Sequence, residues 1–62
     1  GTPRQDILRL PPKYRVVMYL RYYEDFTTGE IARLLKIPQS TAAARLSRGR
    51  GLLERQLRKG AA

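Results

Sequence analysis

The sequence predicts an all-α fold of four helices with no strand. Apolar residues recur at steps of three and four rather than two. Breaks fall at Pro11-Pro12, at Glu24-Asp25-Phe26 and at Lys36-Ile37-Pro38. Beyond Pro38 no further proline interrupts the chain, which leaves room for one long last helix. Sixty-two residues make one domain, residues 1–62, near the lower size limit for folding without a staple.

Residues 4–10, RQDILRL, suit about two helical turns stopped by Pro11-Pro12, with Thr2-Pro3 as the start. So short a helix is unstable alone, so Ile7, Leu8 and Leu10 must dock. The second helix spans about 12–23, with Pro12 in the first turn, where no amide partner is lost. Val16, Val17, Leu20 and Tyr23 form one apolar face. Tyr14, Met18, Tyr19 and Tyr22 leave little of the circumference polar, which fits either tyrosines wrapped round a thin core or a docking surface.

Thr27-Thr28-Gly29-Glu30 fits a capping box, in which a threonine hydroxyl and Glu30 exchange bonds with first-turn amides. The third helix follows at about 28–35, with Ile31, Leu34 and Leu35 inward and Ala32 small enough for a close helix crossing. Ile37 plugs the core beneath the next turn. The fourth helix covers about 39–57, with an inner stripe of Ala42, Leu46, Gly49 or Arg50, Leu53 and Leu57. Gly49 and Gly51 each cost about 1 kcal/mol of helix propensity, so a bend or a close contact is expected there. Past Lys59 the tail is expected to fray.

There is no cysteine and no histidine, which removes disulfides, thiolate chemistry, the usual zinc ligand and the usual neutral-pH base. Asp6, Glu24, Asp25, Glu30 and Glu54 are scattered. No catalytic residue, metal site, cofactor or small-molecule ligand is expected. The formal charge is +8, and residues 45–59 hold six Arg or Lys against one Glu. That imbalance suits a polyanionic partner. No apolar run reaches the eighteen or so residues of a membrane span, and no signal peptide is visible, so a cytoplasmic location is expected.

Residues 30–50, EIARLLKIPQSTAAARLSRGR, spell helix, tight turn and arginine-rich helix. That order is a helix-turn-helix, whose second helix contacts base edges through its N-terminal residues. The candidate DNA-binding residues are Gln39, Ser40, Thr41, Ala43, Ala44, Arg45, Ser47 and Arg48. Arg48 faces outward as a base or phosphate contact. Arg45 lies at the edge of the inner stripe, where either an ion pair with Glu30 or a phosphate contact is open to it. Thr28, Arg33, Lys36 and Arg50 are further candidates for phosphate contact, and Arg55, Arg58 and Lys59 suit a solvated basic face.

The flanking residues sharpen this. Leu10-Pro11 with Tyr14-Arg15, Phe26-Thr27 leading into Glu30-Ile31-Ala32, Ile37-Pro38 with Thr41, and Arg45-Leu46 followed by Arg48-Gly49-Arg50 together resemble region 4 of sigma-70 family sigma factors. The extracytoplasmic-function (ECF) group fits best. The resemblance covers Leu10 to about Leu57. It implies a region 4 type four-helix domain whose last helix reads the −35 element of duplex promoter DNA. It further implies docking on the β flap of RNA polymerase, with the second helix part of that grip, an anti-sigma factor as a further partner, and a region 2 domain ahead of Gly1.

One departure matters. After the matching Thr41 the family usually carries a β-branched residue, a Lys or Arg, and a Ser; this chain carries Ala42, Ala43 and Ala44. Ala43 and Ala44 offer close approach and methyl contact, for example to thymine, or serve as helix formers. The alternatives are the output domain of a response-regulator-type transcription factor and a sigma-like protein-interaction module with weakened DNA readout. A membrane-surface role fits less well, since the basic residues sit in a turn-punctuated pattern rather than a simple amphipathic helix.

Overall fold

A computed structural model of the chain describes residues 3–61. Its elements are α1 (Pro3–Leu8), α2 (Pro12–Tyr23), α3 (Thr28–Leu35) and α4 (Gln39–Ala61), with no strand among the described residues. Thr2, the suggested start of the first helix, lies outside them. A 23-residue helix is about 34 Å long at 1.5 Å per residue. α4 therefore sets the 38 Å long dimension of the molecule, against 18 and 15 Å across.

The other helices form a collar round α4 that reaches as far as Gln56, which is hydrogen-bonded to α1. The most extensive packing is α2 on α4, followed by α3 on α4. Ile7, Leu10, Val17, Met18, Ile31, Ala32, Ala42 and Leu46 make up the core, and no polar or charged side chain is buried among the described residues. Stability therefore comes from apolar burial, at roughly 1.5–3 kcal/mol for each fully buried large side chain.

α1 is shorter than expected and ends at Leu8. Its last carbonyls still find donors. Arg9 N–H donates to Asp6 O (3.3 Å) and Leu10 N–H to Ile7 O (3.1 Å). Arg15 Nη1 donates to Leu8 O at 3.3 Å, and Gln56 Nε2 to Asp6 O at 2.8 Å. The turn at 9–10 swings Leu10 into the core and leaves Leu8 exposed, so Leu8 does not dock as expected.

The inward faces of α2 and α3 are rotated from the expected ones, whereas the inner stripe of α4 stands as expected from Ala42 to Leu53. On α2 the buried stripe is Val17 and Met18, with Tyr14 and Leu20 packed against it, while Val16 and Tyr23 are exposed. The stripe turned because Met18, not Val16, meets α4. On α3, Ile31 and Ala32 are buried, and Leu34, expected inside, is 55% exposed. The close crossing at Ala32 rotates α3 and carries Leu34 outward. On α4, Gly49 is buried and Arg50 exposed, and Leu57 is exposed because the last turns run beyond the collar. The helix continues past Leu57 to Ala61, so Gly60 and Ala61 are helical rather than frayed; Ala62 lies outside the described residues. Arg58 and Lys59 stand in the last turn, where cations offset the helix dipole.

Candidate nucleic-acid interface

Both ends of α3 are fixed by local chemistry. Thr27 N–H donates to Glu30 Oε1 at 2.8 Å, and Glu30 N–H donates to Thr27 Oγ1 at 3.1 Å. This is the expected capping box, with Thr27 as the cap. The bond from the Thr27 backbone, then that with its side chain, holds the Glu30 carboxyl below its ordinary value, with a further contribution from nearby Arg33.

At the other end Lys36 adopts the left-handed conformation (φ 58°, ψ 46°). Ile37 N–H donates to Ala32 O (3.0 Å) and Lys36 N–H to Arg33 O (3.3 Å), which is a Schellman closure. Ile37 packs against the core as expected. α4 then begins at Gln39, with Ala42 N–H donating to Pro38 O at 3.1 Å. Small buried residues, Ala32 and Ala42, stand one on each helix of the turn.

This frame turns Ser40, Ala43, Ala44, Ser47 and Arg48 to solvent and leaves Thr41 and Arg45 half-buried on one flank. Ser40, Thr41, Ala44, Arg45 and Arg48 of α4 line an open concavity of about 320 Å³ with Lys13 and Tyr14 of α2. Ala43 and Ser47 remain on the outward face beside it. Gln39 is exposed and leans toward α3: a β-carbon built on Gly29 would stand 3.9 Å from Gln39 Oε1.

The further candidates do not join this concavity. Thr28 and Arg33 belong to α3, and Lys36 to the turn. Arg50 lines a separate hollow with Tyr22, Tyr23 and Leu53. The Glu30 carboxylate turns back to Thr27, and Arg45 forms no ion pair with it among the described residues. Of the two readings of Arg45, the ion pair is excluded. Lys13 and Tyr14 were not singled out in the sequence as site residues. Lys13 is near the concavity only because α2 packs across α4, and its ammonium lies 5.1 Å from the Tyr14 ring centroid.

Residues 7–53 match the family described as Sigma-70, region 4. The chain belongs to the sigma-70 region 4 family. It is 46% identical over 58 residues to the ECF RNA polymerase sigma factor SigW of Bacillus subtilis (strain 168), covering 94% of this chain and 31% of that protein. It thus spans about a third of the relative's length. Membership of the region 4 family replaces the response-regulator alternative. A region 4 domain is not an enzyme. Among the described residues no helix is long and apolar enough to cross a membrane.

Proposed function

We propose that this region 4 chain is the promoter-recognition domain of an ECF-type sigma factor, with α4 reading the −35 element of duplex DNA. The observation that carries the reading is the face formed by Ser40, Thr41, Ala44, Arg45 and Arg48, where hydroxyls and guanidinium groups sit on the N-terminal half of a projecting helix. Guanidinium groups read guanine edges in two-bond fashion, and hydroxyls suit phosphates or bases. Ala43 and Ala44 supply methyl surface and close approach. Gln39 and Ser47 lie at the edges of the reading face. Thr28, Arg33 and Lys36, from α3 and its turn, are the phosphate contacts on the α3 side, and Arg50 adds general positive potential.

The polymerase β flap is the second partner. The exposed apolar residues of α2, Val16 beside Leu8 of α1 and Tyr22 and Tyr23 in the hollow with Arg50, support that docking, because a helix apolar on two sides keeps one for a partner. An anti-sigma factor would compete for the same surfaces, and a cytoplasmic location follows from the role.

The test is a titration with duplex DNA carrying −35-like sequences and, separately, with a β-flap fragment. Salt-sensitive, sequence-dependent DNA binding is the expected result. Binding to the flap fragment alone would replace this reading with the protein-interaction module that the alanines of α4 allow.

A further inference from the structure

α1 is the least anchored helix of the fold. Among its described side chains Ile7 alone is buried, with Gln5 and Leu8 exposed and Asp6 half-buried. Two side chains from other helices tether its C-terminal end. Arg15 of α2 donates to Leu8 O at 3.3 Å, and Gln56 of α4 donates to Asp6 O at 2.8 Å. A helix of six residues does not persist by itself, so the order of α1 depends on one buried side chain and two hydrogen bonds. Elements with so few buried contacts open separately from a core. Leu10 is buried beside Pro11 and fixes the chain at the entrance to α2, so α1 can leave without pulling α2 away.

α1 also shapes the surface beside it. Ile7 is one wall of a hollow of about 490 Å³ that Tyr22, Tyr23 and Leu53 line. Leu8 is one wall of a second, of about 520 Å³, with Val16 and Tyr19. Both hollows belong to the face read above as the dock for protein. No residue of α1 lines the concavity beside the reading face of α4.

We propose that α1 is a releasable strap with Gln56 as its latch. It undocks as a unit while α2, α3 and α4 stay folded. Its release takes down the walls of the protein-docking face and leaves the DNA face in place. The switching role rests on the reading of that face as the dock for the polymerase β flap; the strap itself does not. A partner that touches Ile7 and Leu8 binds the docked form and holds α1 down, and by linkage a docked α1 favours that partner.

The test is amide hydrogen exchange, read by NMR, on the 62-residue chain and its Gln56→Glu and Gln56→Lys variants. Glutamate keeps the shape of glutamine but cannot donate to Asp6 O, whereas lysine still can. The Arg9 and Leu10 amides, bonded to Asp6 O and Ile7 O, report on α1; those of Ile31 and Ala42, bonded to Thr27 O and Pro38 O, report on the rest. In the wild type the α1 amides are expected to be less protected by about tenfold or more, and to respond little to low urea, because a small unit exposes little surface. Gln56→Glu is expected to speed both α1 amides by roughly two- to tenfold, as the loss of one ordinary hydrogen bond does. Gln56→Lys keeps the wild-type rates. Equal acceleration at Leu10, whose acceptor Gln56 does not touch, marks release of a unit rather than loss of one bond. A β-flap fragment at a hundred times its Kd is expected to slow the α1 amides by about a hundredfold.

Equal protection and equal urea response at all four amides would overturn the strap, since α1 would then unfold only with the whole. Unchanged α1 rates in Gln56→Glu would overturn the latch and the proposal with it. A flap fragment that binds without slowing the α1 amides would overturn the switching role alone. A flap fragment that does not bind would overturn both the docking reading and the switching role, while the urea and Gln56 measurements still decide on the strap.

Discussion

Gly49 of α4 lies against Met18 of α2 so closely that a β-carbon at position 49 would stand 2.8 Å from Met18 Cγ and 3.0 Å from its sulfur. Met18 is fully buried, so it has little room to retreat. Gly51, two residues on, has nothing within 4 Å of the same built atom. The two glycines thus separate helix propensity from packing. Gly51→Ala is expected to stabilise the fold by up to about 1 kcal/mol. Gly49→Ala gains the same propensity but overpacks the seat of α4 on α2, at a cost of about 1–3 kcal/mol. It is expected to be the less stable variant by that margin in urea melts. Equal gains at both positions would show that Met18 yields freely.

The capping box gives α3 an acid-sensitive start. Thr27→Ala is expected to cost about 1 kcal/mol, as cap removals do. Glu30 is depressed below its ordinary value by the Thr27 backbone bond and then by the Thr27 side chain. A depressed carboxyl contributes stability that is present above its unfolded-state value and is lost as pH falls through its folded-state value. Melting temperatures measured from neutral pH down through the carboxylate range are therefore expected to drop on the acid side in the wild type, and less steeply in Glu30→Gln. Glutamine still accepts the bond but does not titrate. Parallel acid limbs in the two proteins would remove Glu30 from the acid response.

Lys36 holds a left-handed conformation at φ 58°, where a side chain costs about 1–2 kcal/mol and glycine is the usual occupant. Lys36→Gly is expected to raise stability by about 1 kcal/mol, less the extra freedom glycine gives the unfolded chain. If Lys36 also contacts a phosphate, the same variant binds DNA more weakly while melting higher. A variant that gains stability with unchanged DNA affinity would confine Lys36 to the turn.

The number of helices, their order and the capping box were legible in the sequence because each rests on local signals: paired prolines, a Thr-x-x-Glu start and helical spacing. The inward faces were less legible. Val16, Tyr23 and Leu34 looked inward by hydrophobicity and are exposed, whereas Met18 is fully buried. Which side of α2 turns inward depends on Gly49 of α4 making room for Met18, a partnership 31 residues apart (49 minus 18) that no local window contains. Leu57 matched the inner stripe in spacing, but spacing does not reveal that the collar ends before it. The same limit applies to the candidate site. Ser40, Thr41, Ala44, Arg45 and Arg48 share one helix face and could be read from their positions, while Lys13 enters from another helix by packing alone.

Arg48 offers the sharpest test of readout. It is exposed on the outward face of α4 and lines the concavity beside Ser40 and Ala44. If it reads a base edge, Arg48→Ala loses discrimination at one base pair, by roughly 1–3 kcal/mol, and leaves preferences elsewhere in the site unchanged. Arg55, exposed about two turns further along α4, serves as the contrast: Arg55→Ala is expected at most to weaken all sequences alike and to flatten the salt slope. Competition between a −35-like duplex and its single-base variants distinguishes the two patterns. A uniform loss in Arg48→Ala would assign Arg48 to the phosphates and leave base recognition to hydroxyls and methyl groups. Ala43→Lys, which restores the charge usual in the family at an exposed position, is then expected to raise affinity and steepen the salt slope by about 0.9. No gain from that lysine would mean that position 43 stands clear of the DNA and that its alanine is there for the helix.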